Sequence, residues 1–320
     1  MQLVETLDQI PTPFQNAVIT IGNFDGVHKG HQALLQQVIK KARQISGTSV
    51  ALTFEPHPLR ALGLASPPLI TRHDQKMELL EQSGIDVVVC LTFDKEFAAI
   101  TAHDFISDIL VNKIGMKAII IGPDYTFGKN RTGNTALLQE QGRILGFETI
   151  VADWISDAAG GSQRISSTRI REIVMNGKVE QAKKYLGRHY QIRGKVITGR
   201  NRGGSQLGFP TANIKLHDEL CPKFGVYAVN VETVYGSFMG VANIGISPTF
   251  DDQMFTVEVH ILDFDHDIYG TRIRVNMVAR LRDEKKYSNI TELSHQIQKD
   301  IDIAKDILKK NGYTENHYLS

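Results

Sequence analysis

Two histidines three positions apart, His28 and His31, lie in the glycine-rich stretch GNFDGVHKGH, residues 22–31. The apolar run AVITIG (17–22) precedes it and an amphipathic segment follows, so the stretch is predicted to join a buried strand to a helix. Glycines let a backbone approach a ligand closely, and a helix N-terminus suits an anion such as phosphate. Residues at i and i+3 share one helix face. The pattern therefore predicts two imidazoles that hold nucleotide phosphates during a displacement reaction.

A structural explanation of the same residues stays open: one histidine could cap the helix while the other packs in the core. The two histidines together, after a strand and a Gly-Asn-Phe-Asp-Gly turn, favour the phosphate site. Asp25 also has two interpretations, as a turn residue that holds backbone N–H groups, which is favoured, or as a ligand contact. The sequence contains neither the GxGxxG dinucleotide fingerprint nor the GxxxxGK[ST] P-loop.

HxGH at a strand-to-helix turn resembles the signature of the nucleotidyltransferase superfamily, whose relatives include class I aminoacyl-tRNA synthetases. The resemblance implies a second phosphate-binding segment after the last strand of that domain, and RISSTRIR (164–171) fits it. Alone, this segment is typical of a helix N-cap with basic neighbours; beside HxGH it indicates phosphate binding. Its hydroxyl and guanidinium groups belong to Ser167, Thr168, Arg164, Arg169 and Arg171.

The first half of the chain alternates apolar strands with helical segments. Strands are predicted at 17–22, 48–54, 85–93, 117–122 and 147–152, and helices at 30–45, 71–84, 101–115 and 134–146. Apolar strands separated by helices predict a parallel sheet that is covered on both faces, with right-handed crossovers. Ligands of such sheets bind at the carboxyl ends of the strands, which is where GNFDGVHKGH lies.

After two short helical segments, at 167–177 and 179–187, the apolar period changes to two. Five alternating segments follow from Tyr190 to Leu281, separated by turn residues, as in a small antiparallel barrel. Residues 289–310 have apolar positions at helical spacing. We therefore predict a nucleotidyltransferase-type parallel α/β domain over 1–186, then an antiparallel β-barrel domain with a C-terminal helix over 187–320.

Composition limits the function classes. At 320 residues, two domains are expected. The net charge of +1 gives no basic excess, so we expect no nucleic-acid partner. Two distant cysteines, Cys90 and Cys221, indicate thiols in a reducing compartment. The start MQLVETLDQI is unlike a signal peptide, and no stretch approaches the ~20 apolar residues that span a bilayer. These features predict a cytoplasmic protein without a membrane partner.

A series of motifs narrows the resemblance. In chain order they are GNFDGVHKGH, TFEPHP (53–58), GPDYTFGKNRTGN (122–134), RISSTRIR, LGFPTANI (207–214), GVYAV (225–229), GVANIGISPTF (240–250) and VEVHILDFDHDIYG (257–270). The series resembles the prokaryotic bifunctional riboflavin kinase/FMN adenylyltransferases, also called FAD synthetases. The resemblance runs from about residue 17 to about residue 306, which is nearly the whole chain.

For the first domain, the resemblance implies transfer of AMP from ATP to FMN. It places His28 and His31 on the ATP phosphates and Arg164, Ser167 and Thr168 at the second phosphate segment. An FMN phosphate is already a competent nucleophile, so catalysis needs alignment and charge neutralisation rather than a base. The implied nucleotide and flavin contacts are Gly22, Asn23, Phe24, Asp25, Gly26, Gly30, Phe54, Pro56, Asp124, Phe127 and Arg171.

For the second domain, the resemblance implies phosphorylation of the ribityl hydroxyl of riboflavin, with Glu258 as the base. Alternation in VEVHIL also allows an exposed strand glutamate, so that alternative stays open. Thr211 and Asn213 are the implied Mg²⁺ ligands, although PTAN alone is typical of a strand entry. The loop GRNRGGSQLG (199–208) is one residue longer than expected, which puts its nucleotide contacts in doubt. The remaining implied contacts are Gly199, Gly203, Gly208 and Pro210 for the nucleotide and Arg282 for the flavin.

The expected cofactor is Mg²⁺, and the expected small-molecule partners are ATP, riboflavin, FMN and FAD. A monomer or weak homo-oligomer is expected. Two other functions remain as alternatives: a nucleotidyltransferase with a pantetheine-phosphate or cytidylyl acceptor, and a flavin- or nucleotide-binding regulator without catalysis. The first leaves LGFPTAN and VEVHILDF without a role. A class I synthetase is disfavoured because KMSKS is missing.

Overall fold

The computed structural model describes residues 1–153, 164–197, 208–216, 218–246, 255–314 and 317–318. The chain forms two compact units. The first comprises Met1–Pro67 and Thr71–Ser167, and the second comprises Pro68–Ile70 and Thr168–Ser320. The domain boundary that the sequence places between residues 186 and 187 stays a prediction.

The first unit contains a six-stranded sheet. Its strands are β1 (Gln2–Val4), β2 (Ala17–Ile21), β3 (Ser49–Glu55), β4 (Val87–Thr92), β5 (Met116–Ile121) and β6 (Glu148–Val151). They lie in the order β1-β4-β3-β2-β5-β6, and every pair is parallel. The predicted parallel sheet is confirmed. The three-residue β1, which pairs with Val87–Val89 of β4, gave no strand signal in the sequence.

Helices join these strands. They are α1 (Lys29–Gln44), α2 (Pro58–Ala61), α3 (His73–Gln82), α4 (Lys95–Ala98), α5 (Ala102–Asp104), which continues with π-helical hydrogen bonding over Phe105–Ile114, and α6 (Thr135–Leu145). Burial explains their placement: α1 turns Leu35, Val38, Ile39 and Ala42 inward, at the 3–4-residue spacing of one helix face. The sheet is nearly wholly apolar because helices cover both of its faces, and one core layer fills each side.

The second unit is an antiparallel sheet whose ends approach each other. Helix α7 (Ser167–Met175) spans the division between the units, and α8 (Val179–Leu186) follows it. The strands are β7 (Tyr190–Lys195), β8 (Ala212–Lys215), β9 (Gly225–Thr233), β10 (Gly236–Ile246), β11 (Phe255–Ile261), β12 (Arg272–Arg282) and β13 (His317–Tyr318). Their order is β7-β12-β9-β10-β11-β8, with β13 paired to β10.

A bridge between Ile197 and Asn213 brings the β7 side to β8, so the six strands form a near-closed barrel. The predicted barrel is confirmed. Helix α9 (Ile290–Lys310) begins at Asn289, whose side chain accepts from Glu292 N, and it packs through Ile301, Ala304 and Leu308 on one face of the barrel. The predicted C-terminal helix is confirmed at nearly the predicted bounds. Among the described residues, no helix combines the length and apolarity needed to cross a membrane.

Candidate active sites

The turn between β2 and α1 has an unusual backbone. Phe24, Gly26 and Val27 all have positive φ, at 47°, 86° and 34°. Gly26 adopts this conformation freely, whereas a non-glycine residue there costs roughly 1–3 kcal/mol and persists only where its surroundings enforce it. Phe24 and Val27 are both buried, so core packing supplies part of that enforcement.

Hydrogen bonds of Asp25 supply the rest. Its Oδ1 accepts from the Thr71 backbone N–H at 3.0 Å and from Thr71 Oγ1 at 3.2 Å. Thr71 Oγ1 in turn accepts from Gly26 N at 2.9 Å, and Ser167 Oγ donates to the Asp25 carbonyl at 2.8 Å. These contacts fit the interpretation of Asp25 as the residue that holds the turn. Thr71, just before α3, was missed because nothing local in the sequence connects it to residue 25.

The two histidines lie together at the start of α1. His28 is the N-cap: its Nδ1 accepts from His31 N at 3.2 Å, as the structural alternative foresaw. The two rings stack with centroids 3.6 Å apart. Gly30 permits this arrangement, because a Cβ at that position would lie 3.1 Å from the His28 ring. The same conformation of His28 therefore caps α1 and stacks its ring against that of His31.

The surroundings of His31 lower its pKa and leave one of its ring nitrogens without a hydrogen-bond partner. Burial, then the His28 ring and the Arg164 guanidinium, hold the pKa of His31 well below its ordinary value. The ring is therefore neutral at neutral pH in the free protein. Its Nδ1 is buried and has no hydrogen-bond partner in the described structure. A buried polar atom without a partner is costly, so this atom is suited to a ligand oxygen.

The residues of the second predicted phosphate segment, 164–171, make several different contacts. Arg164 pairs with Asp124 at 2.9 Å, and both side chains are exposed. Ser167 reaches the turn at Asp25, as described above. Thr168 and Arg171 belong to the second unit, where Thr168 is exposed and Arg171 Nε donates to the Pro68 carbonyl at 2.8 Å. The described contacts therefore bring Arg164, Ser167 and Asp124 to the first unit and leave the roles of Thr168 and Arg171 as predictions.

A row of aromatic rings connects Phe54 to Phe127. Phe54 packs at 5.3 Å on Phe93 and at 5.4 Å on Phe97, and the row continues through Phe105 to Phe127. Tyr125 stacks on Phe127 at 5.4 Å. Phe54 and Tyr125 stay partly exposed, so both ends offer ring surface. The sequence analysis named Phe54 and Phe127 and missed the rings that connect them, because these residues lie far apart along the chain.

Three other predicted contacts lie at the same strand ends. Gly22 is close to the Phe24 ring, which a Cβ there would approach to 3.3 Å. Asn23 is exposed, and its Nδ2 lies 3.2 Å from His57 Nε2. Pro56 follows Glu55 through a cis peptide bond in the turn after β3.

In the second unit, strand register gathers the candidate side chains. Glu258 on β11 pairs with Asn213 of β8 on one side and with Asn243 of β10 on the other. Directly paired residues point to the same face of a sheet, so these three form one polar row. Asn243 Nδ2 donates to Glu284 Oε1 at 3.4 Å, which brings a second carboxylate to the row. Asn243 and Glu284 were missed because only the register reveals them.

The surroundings raise the pKa of Glu258, first through burial and then through the negative charge of Glu284. The side chain nevertheless keeps solvent access. The exposed-glutamate alternative is thus correct about exposure. The surroundings of Glu258 are polar, include a second carboxylate and raise its pKa, which makes it a candidate for proton transfer.

Thr211 lies two residues before Asn213, which is a member of this row. Asn213 Nδ2 donates to the Thr211 carbonyl at 3.3 Å, which directs the amide oxygen elsewhere. A hydroxyl, an amide oxygen and the Glu258 carboxylate together form the hard oxygen set that Mg²⁺ prefers, so these residues fit the ion. Among the described residues, no cluster of three or more His, Cys, Asp or Glu side chains is arranged to hold a metal.

A cavity of about 260 Å³ opens next to Pro210 and Thr211. Its apolar wall includes Val259, Ile261 and Ile268. Gly208, just before Pro210, is exposed and has φ +81°. Gly199 and Gly203, the other two predicted glycines of this loop, lie outside the described residues.

Arg282 has a partner inside the second unit. Its guanidinium forms three hydrogen bonds of 2.7–3.0 Å with Asp300 of α9, and this carboxylate is 3% exposed. Gln296 also donates to Asp300, at 2.9 Å. A buried ion pair is strongly destabilised when one partner is removed. The contacts therefore give Arg282 a role in fastening α9 to β12, and its predicted flavin contact stays a prediction.

A parallel α/β unit with an HxGH turn, followed by an antiparallel barrel with a polar row on its strands, is the arrangement of a two-domain, nucleotide-using transferase. Comparison with protein families agrees. The FAD synthetase family model matches residues 10–169, and the riboflavin kinase model matches residues 186–308.

Curated relatives match nearly the full length. The bifunctional riboflavin kinase/FMN adenylyltransferase of Haemophilus influenzae is 41% identical over 307 residues, which cover 95% of this chain and 98% of the relative. That of Escherichia coli is 38% identical over 303 residues, covering 94% and 96%. The chain belongs to the family of bifunctional riboflavin kinase/FMN adenylyltransferases, and the predicted resemblance is confirmed.

A solved structure shares the whole fold. It comes from Streptococcus pneumoniae and is named a macrolide-efflux protein. It is 32% identical, covers 95% of this chain and 98% of its own, and has a TM-score of 0.83. The arrangement of one α/β unit and one barrel in a single chain therefore also occurs in that protein.

Proposed function

We propose that this chain makes FAD in two ATP-dependent steps, one in each unit. The second unit phosphorylates riboflavin to FMN, and the first unit transfers AMP from ATP to FMN, with release of pyrophosphate. The observation that carries the proposal is the pair of stacked imidazoles at the start of α1, with the buried Nδ1 of His31 unpaired, in a chain whose two halves match the two family models. A nucleotide-binding regulator could use the same atom, so the product analysis described below separates the two functions.

In the first unit, an FMN phosphate oxygen attacks the α-phosphorus of ATP. The new P–O bond forms as the bond to the β-phosphate oxygen breaks, and pyrophosphate leaves. His28, His31 and the N-terminus of α1 bind the phosphates and neutralise the charge that develops on them. Burial, and then the positive charges of His28 and Arg164, lower the pKa of His31 in the free protein, and a bound polyanion such as ATP opposes that shift by favouring the charged imidazole.

The acceptor in this step is a flavin nucleotide. The aromatic row from Phe54 to Tyr125 supports this choice, since planar rings bind a planar tricycle by stacking and by apolar burial. Asp124 directly precedes Tyr125 of this row in the sequence, and it forms an ion pair with Arg164 that incoming phosphates can exchange. A pantetheine phosphate or cytidylyl acceptor leaves the aromatic row without a role.

In the second unit, Glu258 accepts the proton of the ribityl hydroxyl as that oxygen attacks the γ-phosphorus of ATP. A raised carboxylate pKa brings the base closer to the operating pH, where general-base catalysis is most effective. Thr211 and Asn213 would hold Mg²⁺, which when bound neutralises phosphate charge. The cavity next to Pro210 is just below the ~300 Å³ at which ligand pockets begin, so it suits the base of the nucleotide rather than the whole molecule.

Product analysis tests both steps. Purified protein is incubated with ATP and MgCl₂, in one reaction with riboflavin and in a parallel reaction with FMN, and the flavins are separated by chromatography. We expect FMN followed by FAD in the first reaction and FAD in the second. FMN without FAD would contradict the assignment of the first unit, and FAD only from FMN would contradict that of the second. The absence of products from both would favour the regulator.

A further inference from the structure

Lys76 is a lysine whose charged end lies inside the first unit. It belongs to α3, and the residue is only 6% exposed. Taking an ammonium out of water is costly unless acceptors surround it. In the sequence, Lys76 is one of several polar positions of an amphipathic helix, so nothing marks it as buried.

Its acceptors all lie at the carboxyl end of β3. Lys76 Nζ donates to the Phe54 carbonyl at 3.2 Å, lies 3.5 Å from Thr53 Oγ1, and lies 3.6 Å from Glu55 Oε2. Three consecutive residues of one strand end are thus held by one ammonium. These residues are the last three of β3, and the ring of the middle one, Phe54, is one end of the aromatic row.

The contacts extend to the neighbouring turn. Thr53, which is fully buried, donates through Oγ1 to the Asn23 carbonyl at 3.4 Å. The turn between β2 and α1 is held more directly by the Asp25–Thr71 hydrogen bonds. Loss of Lys76 should therefore strongly disturb the end of β3 that carries Phe54, and only weakly disturb the turn between β2 and α1.

We propose that Lys76 is a positioning residue for FMN in the AMP-transfer step. Its ammonium fixes the Thr53–Glu55 strand end, and so fixes the ring surface that Phe54 offers to the isoalloxazine. This inference rests on the proposed function of the first unit. It predicts that binding of FMN depends on Lys76, whereas binding of ATP and the reaction in the second unit do not.

The test is steady-state kinetics of Lys76→Met, which keeps the length of the side chain and removes its charge and donors. We expect the KM for FMN to rise about tenfold, while kcat and the KM for ATP change less than about twofold. Titration of FMN without ATP, followed by flavin fluorescence, should give the same loss of affinity. Riboflavin phosphorylation by the same preparation should not change and reports that the second unit is folded, while an unchanged kcat for FAD formation reports the same for the first unit.

A matched control is Lys41→Met. Lys41 pairs with Glu148 at 2.5 Å, at the start of the edge strand β6 and thus away from the carboxyl ends of the strands. This variant should bind FMN and ATP like the wild type. Thr53→Val is the milder companion, because it keeps the branched shape and removes the hydroxyl; a rise of about threefold in the KM for FMN is expected.

Two results would overturn the inference: an unchanged KM for FMN in folded Lys76→Met, or equal rises in the KM values for FMN and ATP. If Lys76→Met does not fold, Thr53→Val decides, and an unchanged KM for FMN in that variant rejects the proposal. Wild-type protein that makes no FAD from FMN would instead reject the proposed function of the first unit. The two failures are therefore distinguishable.

Discussion

In the first unit the candidate reactive side chains lie on turns at the ends of parallel strands, whereas in the second they lie on the strands themselves. His28 and His31 depend on a strained turn that Asp25 and Thr71 hold in place. Glu258 and its neighbours depend on antiparallel register, which puts three polar residues in one row.

The difference shows which interactions hold the side chains of each site in position. A turn is positioned by specific hydrogen bonds and can present backbone N–H groups to phosphate. A strand row is positioned by the whole ladder, because a one-residue slip would turn every side chain to the other face. We therefore expect single substitutions to separate the two activities cleanly.

The largest effect is expected for Glu258→Gln. Loss of the base should slow FMN formation by roughly 10²–10⁴-fold, the usual contribution of general-base catalysis. FAD formation from supplied FMN should be unchanged, as measured by chromatography of both reactions. Glu232→Gln, which changes a glutamate of β9 that pairs with Arg274, serves as the control. A folded Glu258→Gln protein that loses both activities would contradict the separation of the sites.

Removal of the His28 ring should come next. His28→Asn replaces the Nδ1 acceptor at the N-cap with an amide oxygen and removes the imidazole, so the helix start is retained. FAD formation should fall by roughly 10²–10³-fold, as for loss of one charge-stabilising donor, while FMN formation stays within twofold. His103→Asn, at an exposed position of α5, is the control. Unchanged FAD formation would assign the phosphates to other groups.

A smaller effect is expected for Gly30→Ala. The added Cβ would lie 3.1 Å from the His28 ring, so the ring must shift by a few tenths of an ångström. Alanine should also stabilise α1 by roughly 0.5–1 kcal/mol relative to glycine. We expect FAD formation to fall about tenfold in a protein that is at least as stable toward urea, since precise placement governs such steps. A loss of stability together with activity would point to a folding role instead.

The smallest effect is a shift of a pH profile. Glu258 must be deprotonated to act as a base, so riboflavin kinase kcat/KM should fall as the pH drops through its pKa. The charge of Glu284 helps to raise that pKa. Glu284→Gln removes the charge, keeps the acceptor for Asn243, and should move the acid limb of the profile to lower pH. A limb that stays in place, or moves upward, would show that a different group governs it.

Local sequence signals were sufficient to predict many of the structural elements of this protein. The strand-to-helix punctuation around HxGH, the change from helical alternation to a period of two after Tyr190, and the helix after Asn289 all predicted elements that the structure contains. They succeed because burial periodicity and end signals act over a few residues. The family resemblance also rested on short motifs and was confirmed by relatives over nearly the full length.

Other features were visible only in three dimensions. The short β1 was missed because three residues carry no period, and its pairing with β4 creates it. Thr71, Lys76 and Asn243 were missed because each has a hydrogen-bond partner far away along the chain: Thr71 and Asp25 are 46 positions apart, and Lys76 and Phe54 are 22 positions apart.

 Asn243 and Glu284 are likewise 41 positions apart. No local pattern records such contacts.

The sequence by itself determined most of the element types, the order of the two units and the choice of candidate side chains, because each depends on residue chemistry and short-range spacing. Only the tertiary structure decided which groups position these side chains and shift their pKa values. Stacking of His28 on His31, the charge of Glu284 near Glu258 and the placement of Lys76 under the β3 end all arise when distant segments pack together. Electrostatic and hydrogen-bond energies depend on distances through space, and the chain alone does not specify those distances.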